Sequence, residues 1–76
     1  MNKPEWKDAP KWAMWLAQDQ CSKSIGLDHF WVWFENTPTK MSNGWIDMTP
    51  GGKWKQTSVV ATDEQWKKTL ETRPSC

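Results

Sequence analysis

The chain's only histidine, His29, stands beside Asp28, a pairing that could orient a general base. A catalytic His–Asp pair also needs a nucleophile and a shared face, and adjacent residues on a strand point to opposite faces. His29 therefore reads as a strand-end polar residue. A zinc site would have to assemble from Cys21, His29, Cys76 and a carboxylate such as Asp47, and no Cys-x-x-Cys or His-x-x-His spacing supports one. Glu35 and Asp47 could face each other across neighbouring strands, but acid–base work requires a pocket that shifts their ionisation. Gly51-Gly52-Lys53 lacks both the glycine spacing of a phosphate loop and a helix start after it. It reads as a turn. The expectation is no catalytic residue, no metal, no cofactor and no enzyme.

The remaining chemistry is recognition. Trp31, Trp33, Trp45 and Trp54, with Lys40, Lys53 and Lys55 nearby in sequence, combine flat aromatic surface with positive charge. Single-stranded nucleic acid is gripped by that combination. In so small a chain the same tryptophans read first as core and sheet packing, and those left over could form an exposed aromatic face that binds another protein. The candidate binding residues are Trp31, Trp33, Trp45, Trp54, Lys53 and Lys55.

A chain of 76 residues can form one domain, and a domain so small buries only about 60% of its unfolded surface. Such chains need a staple. Eight tryptophans, with two phenylalanines and no tyrosine, supply it: each well-buried indole brings roughly 4–6 kcal/mol of gross burial. Eight indoles exceed what one small core can enclose, so two or three are expected to stay partly exposed. Two cysteines, Cys21 and Cys76, are too few for a disulfide scaffold. Reduced thiols and a monomer or weak dimer are expected.

Formal net charge is +1, from ten Lys and Arg against nine Asp and Glu. This balance excludes both an acidic nucleic-acid mimic and a strongly basic coat protein. Mean hydropathy is -0.87, and without a long apolar run or a signal-like start the expectation is a cytoplasmic protein with no membrane association.

The elements that would position these residues follow from local patterns. Asp8-Ala9-Pro10 reads as a helix start, with a helix to about Gln20 presenting Trp12, Trp15, Leu16 and Asp19 on one face. Cys21 to Asp28 reads as a loop. His29 to Phe34 is a continuous aromatic and β-branched run of strand length. Asn36 to Lys40 reads as a loop and Asn43-Gly44 as a tight turn. Gly44 to about Met48 and Lys53 to Val60 are further strands, separated by Pro50-Gly51-Gly52. Thr62 and Gln65 match a capping box, predicting a short helix from Asp63 to about Thr72, ended by Arg73-Pro74. The predicted fold is α+β, a single domain over residues 1–76: an N-terminal helix, a three-stranded antiparallel meander and a short C-terminal helix.

The stretches Trp6-Lys7-Asp8-Ala9-Pro10-Lys11-Trp12-Ala13, Trp15-Leu16-Ala17-Gln18-Asp19, Trp31-Val32-Trp33-Phe34-Glu35 and Trp66-Lys67-Lys68-Thr69-Leu70-Glu71-Thr72-Arg73-Pro74 resemble a pattern among small tailed-bacteriophage and prophage proteins. The matching stretches cover about half the chain. The resemblance implies phage origin and an accessory role inside an infected or lysogenic bacterium, and it transfers no catalytic or binding residue. The resulting expectation is a non-enzymatic accessory protein that binds a host or phage protein through an aromatic sheet face. The alternative is a single-stranded nucleic-acid binder using the same indoles.

Overall fold

The computed structural model describes residues 3–19, 29–42, 44–62 and 64–74. It is built from strands, not from helices on a sheet. The strands are β1 (Trp15–Gln18), β2 (Phe30–Phe34), β3 (Thr39–Met41), β4 (Gly44–Ile46), β5 (Trp54–Val60) and β6 (Glu71–Thr72). Two three-residue 3₁₀ turns, Trp6–Asp8 and Trp66–Lys68, are the only helical elements among the described residues. The predicted α+β arrangement is thereby overturned. The expected loop Cys21 to Asp28, with Cys76, Asn43 of the expected turn and Asp63 of the second expected helix, lies outside the described residues.

Both predicted helices fail for the same reason. Each would be short, and an isolated helix of that length is marginal unless an apolar stripe is buried by packing. Trp12, Trp15 and Leu16 fit such a stripe, but Ala13, Leu16, Ala17 and Gln18 are all fully buried, more than one helical face can present. Burial on both sides suits an inner strand, and β1 is one, with antiparallel neighbours on either side. Trp15 to Gln18 pair with Phe34 to Trp31 of β2, while Trp15 and Leu16 also pair with Thr72 and Glu71 of β6. Where the second helix was expected, the chain makes one 3₁₀ turn and then supplies β6.

The meander is corrected too. The main sheet runs in the order β5-β2-β1-β6, and β3-β4 form a separate two-stranded hairpin inserted between β2 and β5. Part of the expected loop Asn36 to Lys40 thus pairs: Thr39 lies opposite Ile46 and Lys40 opposite Trp45. Seven-residue β5 displaces three-residue β4 as partner of β2, gaining the aromatic cross-strand pair Phe34–Trp54. Opposite Phe30 and Val32 the β5 register shifts. There the Val59 amide donates to Thr57 Oγ1 at 3.1 Å, and Val59 packs on the core.

Alternation along β2 sends Trp31 and Trp33 to one face and Phe30, Val32 and Phe34 to the other. The first face is the core. Trp31, Trp33, Leu16 and Ala13 cluster there beneath Trp6, Ala9 and Trp12 of the N-terminal segment, and the Trp6 ring lies 4.8 Å from that of Trp33, tilted by 57°.

The chain's two ends lock this lid in place. Glu71 accepts from Trp6 Nε1 at 2.7 Å and pairs with Lys3 at 2.9 Å. Arg73 Nη1 donates to the carbonyls of Ala13 (2.8 Å), Pro10 (3.1 Å) and Lys11 (3.3 Å), and its guanidinium lies over the Trp6 ring at 5.8 Å. The opening and closing motifs singled out in the sequence are therefore two halves of one contact.

Candidate functional site

The second face of the sheet carries a cleft of about 460 Å³. Its floor is Val32 and Phe34 of β2, and its walls are Trp54 and Gln56 of β5 on one side and Trp45 and Ile46 of β4 on the other. Asp19 and Asp47 complete the lining. The walls are held by different parts of the chain. Trp54 stands opposite Phe34 in the β2–β5 register, so sheet pairing alone fixes its position.

Trp45 is held by a relay. Its Nε1 donates to the Trp66 carbonyl at 3.4 Å, which also accepts from Thr69 Oγ1 at 2.7 Å. Thr69 Oγ1 in turn accepts from the Gln18 amide at 2.9 Å. The Trp66–Lys68 turn, with Trp66 buried, thereby ties the hairpin to β1.

The carboxylates are positioned by two glycines. Asp19 faces His29 Nδ1 at 3.5 Å, and its carboxylate fills the space a side chain on Gly44 would need. Gly44 also has a φ of +149°, a conformation open to glycine. Asp47 Oδ1 accepts from the Thr49 amide at 2.8 Å. Its carboxylate occupies the position of a Cβ on Gly52, and its Oδ2 is enclosed with no hydrogen-bond partner among the described residues. The turn between them has Pro50 followed by Gly51 at a φ of +75°, with the Gly52 amide donating to the Thr49 carbonyl at 3.1 Å, the pattern of a type II turn.

The six residues expected to form one binding surface are divided by the sheet. Trp31 and Trp33 are 3% and 4% exposed and belong to the core face. Trp45 and Trp54 share the cleft, and Trp54 is 62% exposed. Lys53 is exposed just before β5, where its backbone amide donates to Glu35 Oε1 at 3.3 Å. Lys55 lies opposite Trp33 and lines a separate groove of about 400 Å³ with Glu5 and Asp8. No lysine or arginine lines the Trp45–Trp54 cleft among the described residues.

Glu35 bonds the Lys53 amide, whereas Asp47 bonds the Thr49 amide. Among the described residues no group of three or more His, Cys, Asp or Glu side chains could hold a metal ion, and no helix is long and apolar enough to cross a membrane.

Compared with protein-family models, curated proteins and solved structures, the chain matches none. Asp19, Val32, Phe34 and Ile46 were not singled out as site residues from sequence. The alternation in Phe30-Trp31-Val32-Trp33-Phe34 carries a signal for Val32 and Phe34, because buried indoles on one face leave the phenylalanines and valine on the other. Asp19, Ile46 and Asp47 reach the cleft through tertiary packing and leave no local trace.

Proposed function

We propose that this chain is a non-enzymatic binding module that seats a segment of a protein partner in the cleft between Trp45 and Trp54. The observation that carries this reading is that Trp54 and Ile46, in the cleft walls, are 62% and 47% exposed, while Trp31, Trp33 and Trp66 are buried. Large apolar side chains left at the rim of a concave site are what a partner covers, and aromatic anchors dominate such contacts. The motif resemblance supplies the setting: a phage-encoded accessory protein acting on a host or phage protein in the bacterial cytoplasm.

Single-stranded nucleic acid is the weaker reading for this cleft. Its charged lining is Asp19 and Asp47, which repel phosphates, and backbone neutralisation by cations supplies most nucleic-acid affinity. Trp31 and Trp33, being buried, offer no stacking platform.

The test compares immobilised wild type with Trp54→Ala and Lys55→Ala, the latter on the opposite face. A host or phage protein retained at high salt by wild type and Lys55→Ala, and lost with Trp54→Ala, is the expected result. Equal retention by Trp54→Ala overturns the assignment of the cleft. Salt-reversible quenching of tryptophan fluorescence by oligonucleotide would favour the nucleic-acid reading instead.

A further inference from the structure

The longest strand, β5, is also an edge of the main sheet: in the order β5-β2-β1-β6 no described strand lies beyond it. The opposite edge, β6, is two residues long, too short to template another strand. Hydrogen bonds assign the backbone groups of β5 to a side. The Glu35 amide donates to the Lys53 carbonyl at 2.9 Å and the Ala61 amide to the His29 carbonyl at 2.7 Å, so Lys53 and Ala61 address β2. Along an antiparallel strand successive residues turn their N–H and C=O to alternate sides, which sends those of Trp54, Gln56 and Val60 outward. Phe34 and Phe30, opposite Trp54 and Val60, agree: their carbonyls turn the other way and accept from the Met14 and Asp19 amides.

A groove of about 400 Å³ runs along this edge. All five residues from Lys55 to Val59 line it, and consecutive strand residues do so only where a groove follows the edge and not a single face. Its far wall carries Glu5 and Asp8.

An unpaired edge recruits another strand, and the residues of β5 say which. Laid antiparallel on a second copy about a two-fold axis through Thr57, β5 sets Trp54 opposite Val60, Gln56 opposite Ser58 and Lys55 opposite Val59. Trp54 and Val60 are 62% and 37% exposed in the single chain, and an aromatic side chain across from a β-branched one is a stabilising pair. Both residues also turn their backbone groups outward, so apolar contact and strand hydrogen bonds fall at the same positions. No lysine opposes its like. The second copy's Lys55 arrives beside Val59, in the groove that holds Asp8, a carboxylate outside the ion pairs Lys3–Glu71, Lys7–Glu5 and His29–Asp19. Each contact is made twice by symmetry.

We infer that β5 is a self-association edge, pairing antiparallel about Thr57 with β5 of a second copy to make one sheet across both chains. The short β6 edge closes the assembly at two copies. The register shift opposite Phe30 and Val32 bends β5 and limits the contact to this strand, so the association is weak and reversible. The Trp45–Trp54 cleft lies on the other side of Trp54, over β2, and the pair carries two of them.

Sedimentation equilibrium of the full chain over a concentration series is expected to show monomer and dimer in exchange. Gln56→Pro removes an outward N–H that serves no bond inside the sheet, a position where an edge strand tolerates proline. It is expected to keep the far-ultraviolet circular dichroism of the monomer and to weaken the dimer about ten- to a hundredfold, because symmetry removes one backbone hydrogen bond from each copy. Cross-linking reads the register, in a chain with Cys21→Ser and Cys76→Ser. Thr57→Cys there sets two thiols directly opposite, with Cα atoms about 4.5 Å apart, within disulfide reach. Lys55→Cys sets its two copies about 13 Å apart along the strands. Oxidation is expected to give a disulfide dimer with Thr57→Cys and none with Lys55→Cys. Equal cross-linking by the two overturns the pairing about Thr57, and a chain that stays monomeric at every concentration overturns self-association. A host or phage protein retained by a monomeric wild type and released by Gln56→Pro would likewise overturn it, giving the edge to that partner.

Discussion

Replacing Arg73 by alanine removes the clamp that joins the end of the chain to its beginning. In the native fold one guanidinium nitrogen serves the carbonyls of Ala13, Pro10 and Lys11 at 2.8 to 3.3 Å and the group lies over Trp6. A hydrogen bond with one charged partner contributes about 1.5–3 kcal/mol net. The three contacts share one nitrogen and the residue is half-buried, so they count as one strong interaction and not as three. Adding about 0.5–1 kcal/mol for the cation–π contact, the expected loss is about 2–4 kcal/mol.

A domain of this size holds on the order of 4–11 kcal/mol in total, so the clamp carries a substantial share. Urea unfolding followed by tryptophan fluorescence measures it, with the m-value expected to stay constant because the surface exposed on unfolding is the same. In thermal melts the equivalent drop is roughly 10–30 °C. Arg73→Lys keeps the charge but loses the planar fork, and it should recover less than half of the loss. Lys68→Ala, at an exposed position, should shift stability by less than about 0.5 kcal/mol. If Arg73→Ala unfolds within about 0.5 kcal/mol of wild type, Arg73 does not clamp the lid and its part in the account is wrong.

Trp33→Ala, at the centre of the core and packed against the tilted Trp6 ring, should cost about 3–5 kcal/mol, read as a fall in the midpoint of urea unfolding. Trp54→Ala should cost less than about 1 kcal/mol in the same urea assay, because most of that side chain is already in water. Gly52→Ala places a methyl group against the Asp47 carboxylate and within 2.7 Å of Asn36 Nδ2. A loss of about 1–3 kcal/mol is expected, accompanied by a shift of the Thr49 amide resonance as Asp47 is displaced. An unmoved Thr49 resonance would show that the carboxylate does not occupy that space.

Some of this molecule is written directly in its residues. The run from His29 to Phe34 is too rich in aromatic and β-branched side chains to be anything but a strand, and β2 occupies Phe30–Phe34. Lys53 to Val60 alternates as a strand does, and β5 occupies Trp54–Val60. The tryptophan count required that some indoles remain partly exposed, but the expected two or three is too few: Trp54 is exposed and Trp6, Trp12, Trp15 and Trp45 are intermediate. Local composition decides these points because strand propensity and side-chain volume belong to the residues themselves.

Tertiary structure decided the rest. Trp15–Gln18 satisfies a helical stripe as well as a strand, and hydrogen bonds to residues in β2 and β6, far away in sequence, chose the strand. Which strand lies beside β2 depended on the length of β5 against that of β4. The division of Trp31 and Trp33 from Trp45 and Trp54 followed from which face the N-terminal lid covers, and that lid is held by Glu71 and Arg73 from the opposite end of the chain. Pairing and coverage are properties of segments brought together in space, so no window of sequence contains them. The acids that give the cleft its charge, Asp19 and Asp47, meet there only because the β3–β4 hairpin folds back onto β1.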